Sequence, residues 1–450
     1  MNLQNKKITI LGAERSGRAA AILVKKLGGF PFVSDLADEK KIDKSLEVLR
    51  SAGIPYEAGQ HSEKVFDCDF IIISPGVPSA SKVVLHAKEK NLPILGELEF
   101  ASRFCRGKII AITGTNGKTT TTSLMDHVIN LCGRKSYTAG NIGSAFSEIT
   151  LDVKEDEFVS LEVSSFQLDF NQEFNSFISM ILNITPDHMN RYDYNLDNYA
   201  KAKLSIFKNQ TGKQIFIKND DDQILNKYSF NTNAQIKEFS LLKELQNGAF
   251  VLGEKIIYNE NGKTLFTCDT RDISLPGEHN RANAMAVIIA ANCIGLPQEK
   301  IIEGLRSFKG VEHRLEFVKE INGVKYINDS KATNVDSVWY ALRSFNEPLF
   351  LILGGQDKGN DYDQIKELVE QKVEKIYAIG SSAETVFKYF HSIVKVEIKD
   401  SMEACVKAAN QDTREGDIVL LSPACASFDM FENYEHRGKV FKKAVEDLQK

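Results

Sequence analysis

The heptad Gly114-Thr115-Asn116-Gly117-Lys118-Thr119-Thr120 limits the folds open to this chain more than any other stretch. It follows the apolar run Lys108-Ile109-Ile110-Ala111-Ile112-Thr113, which reads as a buried strand. It precedes Thr121 to Ile129, which reads as a helix. Strand, glycine turn, Lys-Thr and helix, in that order, are the layout of a phosphate-binding loop. Backbone N–H groups and the positive helix end cradle phosphate oxygens there. Lys118 then reaches the terminal phosphates, and the Thr119 hydroxyl suits Mg2+. Gly114, Thr115, Asn116, Gly117 and Thr120 are the rest of the expected nucleotide cradle. The full pattern carries a further glycine where Ile112 stands, so the loop is a shortened variant. A glycine turn with no ligand is the competing reading, and the strand-to-helix context weighs against it.

At about 150 residues per domain, a chain of 450 residues fits three domains. Hydrophobic content of 42% and charged content of 26% are ordinary for a soluble globular chain. A net charge of −5 argues against nucleic acid as the main partner, since such domains are usually basic. It leaves room for a locally positive pocket and an anionic small substrate. The seven cysteines are scattered and form no C-x-x-C pair, so they read as reduced thiols, not a disulfide frame or zinc site. There is no N-terminal apolar segment and no run near 18 apolar residues. Neither export nor a membrane span is expected, and a cytoplasmic location is.

The first part alternates short apolar runs with helical stretches: strand Lys7 to Leu11, turn Gly12 to Gly17, helix Arg18 to Leu27, strands Pro31 to Asp35 and Phe70 to Gly76. This is a Rossmann-like rhythm of parallel strands with crossover helices. Its turn reads G-A-E-R-S-G, with Glu14 in place of the middle glycine that lets a backbone approach a pyrophosphate. NAD is therefore not expected. A single nucleotide gripped partly by Arg15 and Ser16 is, against the alternative of an α/β turn with no ligand. The middle part carries strands Glu157 to Glu162 and Ile178 to Leu182, and an Ala-rich helix Arg281 to Cys293. The last part repeats the α/β rhythm, with strands Val324 to Asn328, Leu349 to Leu353, Lys375 to Ile379 and Asp417 to Leu421. The expected fold class is α/β in three domains: 1–96 Rossmann-like, 97–309 a phosphate-loop ATPase, 310–450 Rossmann-like.

Glu162 ends a strand downstream of the phosphate loop, where a Mg2+ ligand is expected, because hard cations want carboxylate oxygens. Ser164 and Gln167 just after it suit a polar substrate pocket. Asp187-His188 follows another apolar strand, at the carboxyl end where open α/β sheets place ligands. His188 there reads equally as a metal or substrate group or as a structural histidine. Gly277-Glu278-His279-Asn280 with Asn283 presents amides to a purine ring or simply caps a helix. Three polar loops follow C-terminal strands: Asp329 to Asn334, Gly354 to Lys358, and Ser422 to Asp429. Together they build one rim, and Lys358, Thr333 and Ser427 on it suit a small substrate carrying carboxylates.

From Gly12 to Gly438 the chain resembles the Mur ligases, ATP-dependent amide-forming enzymes of peptidoglycan precursor synthesis. GTNGKT, LEVSSFQL, NITPDHMNRY, GEHNRANA, His313-Arg314 and NDSKATN carry the resemblance. NDSKATN, LGGQDK and SPACASFD resemble the family branch that adds D-glutamate to UDP-N-acetylmuramoyl-L-alanine. The family implies that ATP phosphorylates the substrate carboxylate to an acyl phosphate, which the D-glutamate amine attacks. It implies Lys118 and Thr119 on ATP phosphate and Mg2+, with Glu162 and His188 serving two metal ions. Lys203, followed by Leu-Ser-Ile-Phe, matches the family's carbamylated lysine, a metal ligand that forms only from a neutral amine and so requires a lowered pKa. Asn280, Asn283, Arg314 and Asp329 are implied for adenosine. Arg15, Ser16, Asp35, Ser74, Gly76 and Asn141 are implied for the uridine nucleotide. Lys331, Thr333, Lys358, Ser427, Phe428 and Tyr434 are implied for D-glutamate. Glu14, Leu36 and Ala37 depart from the family's N-terminal pattern. The partners implied are small molecules, and the chain is expected to be a monomer whose C-terminal domain closes over the site.

Two other readings stand beside this one. A folylpolyglutamate-type ligase shares the phosphate loop and the His-Asn motif, and the Rossmann-like first domain weighs against it. A non-enzymatic nucleotide switch or binding module is the other, and the set Lys118, Glu162, His188 and Lys203 weighs against that.

Overall fold

The computed structural model describes residues 1–230, 232–357 and 359–448. The chain forms two compact units: Met1–Asp272 with Ala282–Arg306, and Ile273–Arg281 with Ser307–Lys450. Among the described residues the strands form three main sheets, lying within 7–96, 108–269 and 316–421. No helix among them is long and apolar enough to cross a membrane.

The first sheet is five parallel strands in the order Tyr56–Ala58, Phe30–Asp35, Lys7–Leu11, Phe70–Ile73, Ile94–Gly96. The order reverses between Lys7–Leu11 and Phe70–Ile73, and that reversal opens a crevice beyond the carboxyl ends of the strands. Ile71 and Ile72 are fully buried, as a strand covered by helices on both faces requires. The first helix is Arg15–Lys26, three residues longer at its start than the sequence suggests, because the turn is complete at the extended residue Glu14. Gly17 allows this tight entry: a Cβ there would stand 1.8 Å from the Gly12 carbonyl oxygen.

The second sheet has nine strands, in the order Lys263–Asp269, Lys255–Glu260, Gly248–Leu252, Gln235–Ser240, Ile215–Asn219, Ile178–Ile181, Lys108–Thr113, Phe158–Glu162, Ser136–Gly140. The three strands spanning 248–269 run antiparallel to one another, and the rest are parallel. The phosphate-loop strand lies between Ile178–Ile181 and Phe158–Glu162. Its Ile110, Ala111 and Ile112 are fully buried. Each such isoleucine contributes about 1.5–3 kcal/mol of apolar burial, so the base of the loop is rigid.

The second unit carries a six-stranded sheet: Glu316–Ile321, Val324–Asn328, Ile418–Leu421, Leu349–Gly354, Val373–Ile379, Lys395–Lys399. Only Glu316–Ile321 is antiparallel to its neighbour. Apolar clusters fill both faces, one around Val338, Leu351 and Phe390, the other around Tyr326, Val406 and Phe441. The three strands Val324–Asn328, Ile418–Leu421 and Leu349–Gly354 are neighbours, so the three polar loops that follow them emerge side by side.

Candidate active site

In the first unit, the order of three adjacent parallel strands brings the phosphate loop, Glu162 and the segment from Asn183 to His188 out at one edge. Gly117, at φ +83°, turns the chain into helix Lys118–Leu131. A Cβ there would meet the Asn283 side-chain oxygen at 2.5 Å, so Asn283 packs directly against the loop. The loop is fixed from the neighbouring strand. Asn116 N–H donates to the Asn183 side-chain oxygen at 2.8 Å, and the Asn183 amide donates back to the Asn116 carbonyl at 3.1 Å. Thr115 Oγ1 donates to the Thr185 carbonyl and receives the Thr185 N–H, both at 3.0 Å. Asn183 and Thr185 are thus positioning residues that the sequence reading left without a role. Their signal in the sequence is polarity directly after a strand and membership of the NITPDHMNRY motif.

Two lysines converge on one acceptor. Lys118 Nζ donates to the Gly114 carbonyl at 2.9 Å and to Thr115 at 2.7 Å. Lys203 Nζ donates to the same Gly114 carbonyl at 2.8 Å. Lys203 is 1% exposed and lies 4.7 Å from the Tyr199 ring centroid, whereas Lys201, two residues earlier, is exposed. Burial holds the Lys203 amine well below its ordinary pKa, and the Lys118 charge adds to this, against the smaller pull of Asp187 and Glu162.

Glu162 is 1% exposed. Its Oε1 accepts from Asn141 Nδ2 at 2.7 Å, while its buried Oε2 has no hydrogen-bond partner. A buried carboxylate oxygen without a donor is costly in isolation and is what a hard cation satisfies. Thr119 is also buried, at the start of the helix. The Glu162 carboxylate and the Thr119 hydroxyl are oxygen donors of the kind Mg2+ takes, and they are the residues here that would hold it. His188 sits at φ +54° with its imidazole 3.6 Å from the Asp187 carboxylate and edge-on to Phe166. Ser164 and Gln167 are engaged with each other: Gln167 Oε1 accepts from Ser164 N–H and Oγ, and Ser164 caps helix Ser165–Leu168.

Beyond the first sheet lies a cavity of about 1080 Å³, lined in part by Ser16, Asp35, Ser74, Gly76, Glu14 and Leu36. Four of the residues expected at the uridine nucleotide therefore share one wall. The Asp35 carboxylate is held by the N–H groups of Ala13 at 2.6 Å and Ala37 at 2.8 Å. Arg15 and Asn141 are not on that wall. Arg15 donates to the carbonyls of Gly143, Gly140 and Asn141, and Asn141 turns to Glu162.

The other expected residues, Asn280, Arg314, Asp329, Lys331, Thr333, Ser427, Phe428 and Tyr434, belong to the second unit. Lys358 lies outside the described residues. The Asn280 amide donates to the Pro276 carbonyl at 2.7 Å. Asp329 accepts from Ser422 Oγ at 2.9 Å and from Leu315 N–H at 3.2 Å. Burial raises its pKa to about 7 despite Arg314 nearby. Lys331 lies over the Tyr434 ring at 5.1 Å, and Phe428 is 69% exposed beside the buried Ser427. Sequence reasoning missed Arg437. It is 1% exposed, and it donates to Ser330 Oγ at 3.0 Å, to the Ser330 carbonyl at 2.8 Å and to the Cys425 carbonyl at 3.1 Å. Burial lowers its pKa to about 10, and its fork ties two of the polar loops together.

Known proteins are similar to this chain along nearly its whole length. The family model of the Mur ligase middle domain matches residues 112–291, that of the Mur ligase glutamate ligase domain 313–425, and that of the MurD N-terminal domain 7–83. A UDP-N-acetylmuramoylalanine–D-glutamate ligase of Christiangramia forsetii is 44% identical, over 98% of this chain and 100% of its own. One from Chloroherpeton thalassium is 42% identical over 99% of both chains. Among solved structures, the UDP-N-acetylmuramate–alanine ligase of Thermotoga maritima shares the fold at a TM-score of 0.63 and 20% identity, covering 99% of both chains. The MurF ligase of the same organism, solved with ADP, does so at 0.60 and 15%, covering 93% of this chain and 95% of its own. With family models over most of its length and relatives above 40% identity end to end, this chain belongs to the Mur ligase family, in its D-glutamate ligase branch.

Proposed function

We propose that the chain joins D-glutamate to UDP-N-acetylmuramoyl-L-alanine at the expense of ATP, through an acyl phosphate, in cytoplasmic assembly of peptidoglycan precursors. One observation supports this above the rest: a buried Glu162 carboxylate with one unpartnered oxygen, on the strand next to a phosphate loop where Lys118 and Lys203 meet. The reaction transfers a phosphoryl group and then an acyl group. Both steps gather negative charge, so positioning and fixed cations carry most of the catalysis. Lys118 neutralises the terminal phosphates. Bound Mg2+ supplies further neutralisation of the phosphate oxygens. Thr119, Glu162 and His188 would hold it, and Lys203 would do so as a carbamate, which its depressed pKa favours. The three sheets correspond to three functional domains: 1–96 for the uridine nucleotide, 97–309 for ATP and 310–450 for the amino acid. Asn280, Asn283, Arg314 and Asp329 serve adenosine, and Lys331, Thr333, Lys358, Ser427, Phe428 and Tyr434 serve D-glutamate.

The test is phosphate release from ATP with UDP-N-acetylmuramoyl-L-alanine, offering D-glutamate, L-glutamate and a diamino acid in turn. Release with D-glutamate alone is expected. Release with another acceptor would move the chain to a sister activity, and release without any acceptor would favour a nucleotide switch. For the carbamate, Lys203→Ala loses activity and regains part of it with formate or acetate. Absence of rescue would leave Lys203 as a buried amine with no role as a metal ligand.

A further inference from the structure

We propose that Arg15 is a positioning residue that ties occupancy of the uridine-nucleotide cavity to the orientation of the Glu162 carboxylate. The proposal rests on the reading above that this cavity takes the nucleotide. Arg15 opens helix Arg15–Lys26 between Glu14 and Ser16, both of which line the cavity. A basic residue at that place reads from sequence as a ligand for pyrophosphate. Its guanidinium instead leaves the cavity. Nη1 donates to the Gly143 carbonyl at 2.8 Å, and Nη2 donates to Gly140 at 2.9 Å and Asn141 at 3.2 Å. These three carbonyls belong to the end of strand Ser136–Gly140 of the second sheet and the turn after it.

The other side of the same turn holds Glu162. Asn141 N–H donates to the Glu162 carbonyl at 3.0 Å, and Asn141 Nδ2 donates to Glu162 Oε1 at 2.7 Å. Asn141 is thus the donor that orients this carboxylate, and Oε2 is left unpartnered and buried. The path from cavity wall to carboxylate is contiguous: Glu14 and Ser16, Arg15, the 140–143 turn, Asn141, Glu162. A planar guanidinium gripping three carbonyls fixes their mutual geometry in a way a lysine ammonium does not. A ligand that settles against the Gly12–Ser16 turn steadies the helix start, and through Arg15 it steadies the turn that aims Glu162. The nucleotide and the metal ion then favour each other's binding, and such coupling is reciprocal.

The experiment uses the full-length chain as wild type, Arg15→Ala and Arg15→Lys. The probes are UDP-N-acetylmuramoyl-L-alanine by calorimetry, and Mn2+ with ADP by electron paramagnetic resonance, with and without the uridine nucleotide. Arg15 is exposed, so its truncation leaves the fold intact, and thermal melting verifies this. In Arg15→Ala the nucleotide affinity stays within about threefold of wild type, while Mn2+ binding weakens about tenfold and no longer responds to the nucleotide. Arg15→Lys restores the charge without the fork and recovers only part of the response. If Arg15→Ala weakens the nucleotide tenfold or more with Mn2+ binding unchanged, Arg15 is a direct ligand and the proposal fails. It fails also if neither affinity changes. A wild type that ignores the uridine nucleotide altogether would overturn the assignment of the cavity, which is a different result from either.

Discussion

The turn Gly12–Gly17 and the turn Gly114–Lys118 use the same local construction, a buried parallel strand, a glycine at positive φ, then a helix. They differ in what they present. The second ends in Gly-Lys-Thr, and its lysine folds back over the loop to the Gly114 carbonyl. The first has an acid, Glu14, at the helix start, and its arginine reaches away to another sheet. One turn concentrates positive charge at a helix start, the arrangement that suits phosphate. The other leaves a carboxylate at the rim of a large cavity and uses its cation to hold a distant turn. A strand-glycine-helix element therefore identifies an anion site only when its charged residues agree with it.

The comparison predicts unequal outcomes for matched changes. Lys118→Ala has the largest effect: acceptor-dependent phosphate release falls about a thousandfold, roughly 4 kcal/mol of transition-state stabilisation. Calorimetry on the same variant finds the uridine nucleotide bound as in wild type. Loss of both together would erase the separation between the two turns. Gly17→Ala comes next, and its effect is on folding. The added Cβ would stand 1.8 Å from a backbone oxygen, so helix and strand must part. A loss of about 3 kcal/mol in urea unfolding is expected, in the range of overpacked cores. Gly117→Ala costs about 2 kcal/mol and appears mainly as weaker ADP binding, because its Cβ meets the Asn283 side chain at 2.5 Å. Adding Asn283→Ala recovers the share due to that clash. If the double variant is no better, the cost lies in the backbone at φ +83°.

Much of this was legible in the sequence, for reasons that differ by region. Ile109 to Ile112 announce a buried strand because nothing polar interrupts them, and the loop after them follows from residue type and order. Lys203 was legible only through resemblance. By composition its helix is a solvated face, and only packing separates buried Lys203 from exposed Lys201. The hairpin Lys255–Glu260 with Lys263–Asp269, and the strand Glu316–Ile321 that pairs with the expected strand Val324–Asn328, are not among the elements read from the sequence, although each pair is joined by Asn-Gly. Both asparagines sit at φ +51°, and both glycines at φ +74°. Asn-Gly between apolar runs is the strongest short hairpin signal, so both turns are legible in the residues themselves. Arg437 was not accessible by such means. Its partner Ser330 is distant in sequence, and only the order of the sheet places the Ser330 and Cys425 loops side by side.

Glu14→Gln has the smallest expected effect and probes the contrast most directly. The Glu14 carboxylate lies at the start of a helix, where a negative charge is worth about 0.3–1 kcal/mol to the folded state. It also lines the cavity, where the same charge opposes a pyrophosphate through water and salt, at about 0.5 kcal/mol. Removing the charge therefore trades a small loss of melting temperature for a two- to threefold gain in uridine nucleotide affinity, about 0.5 kcal/mol. The gain shrinks as salt is raised, since Glu14 is exposed to solvent. A fall in affinity on Glu14→Gln would mean that the carboxylate accepts a hydrogen bond from the ligand. The glycine missing from that position would then mark a gain of recognition, and the two turns would differ in what they read as well as in the sign of their charge.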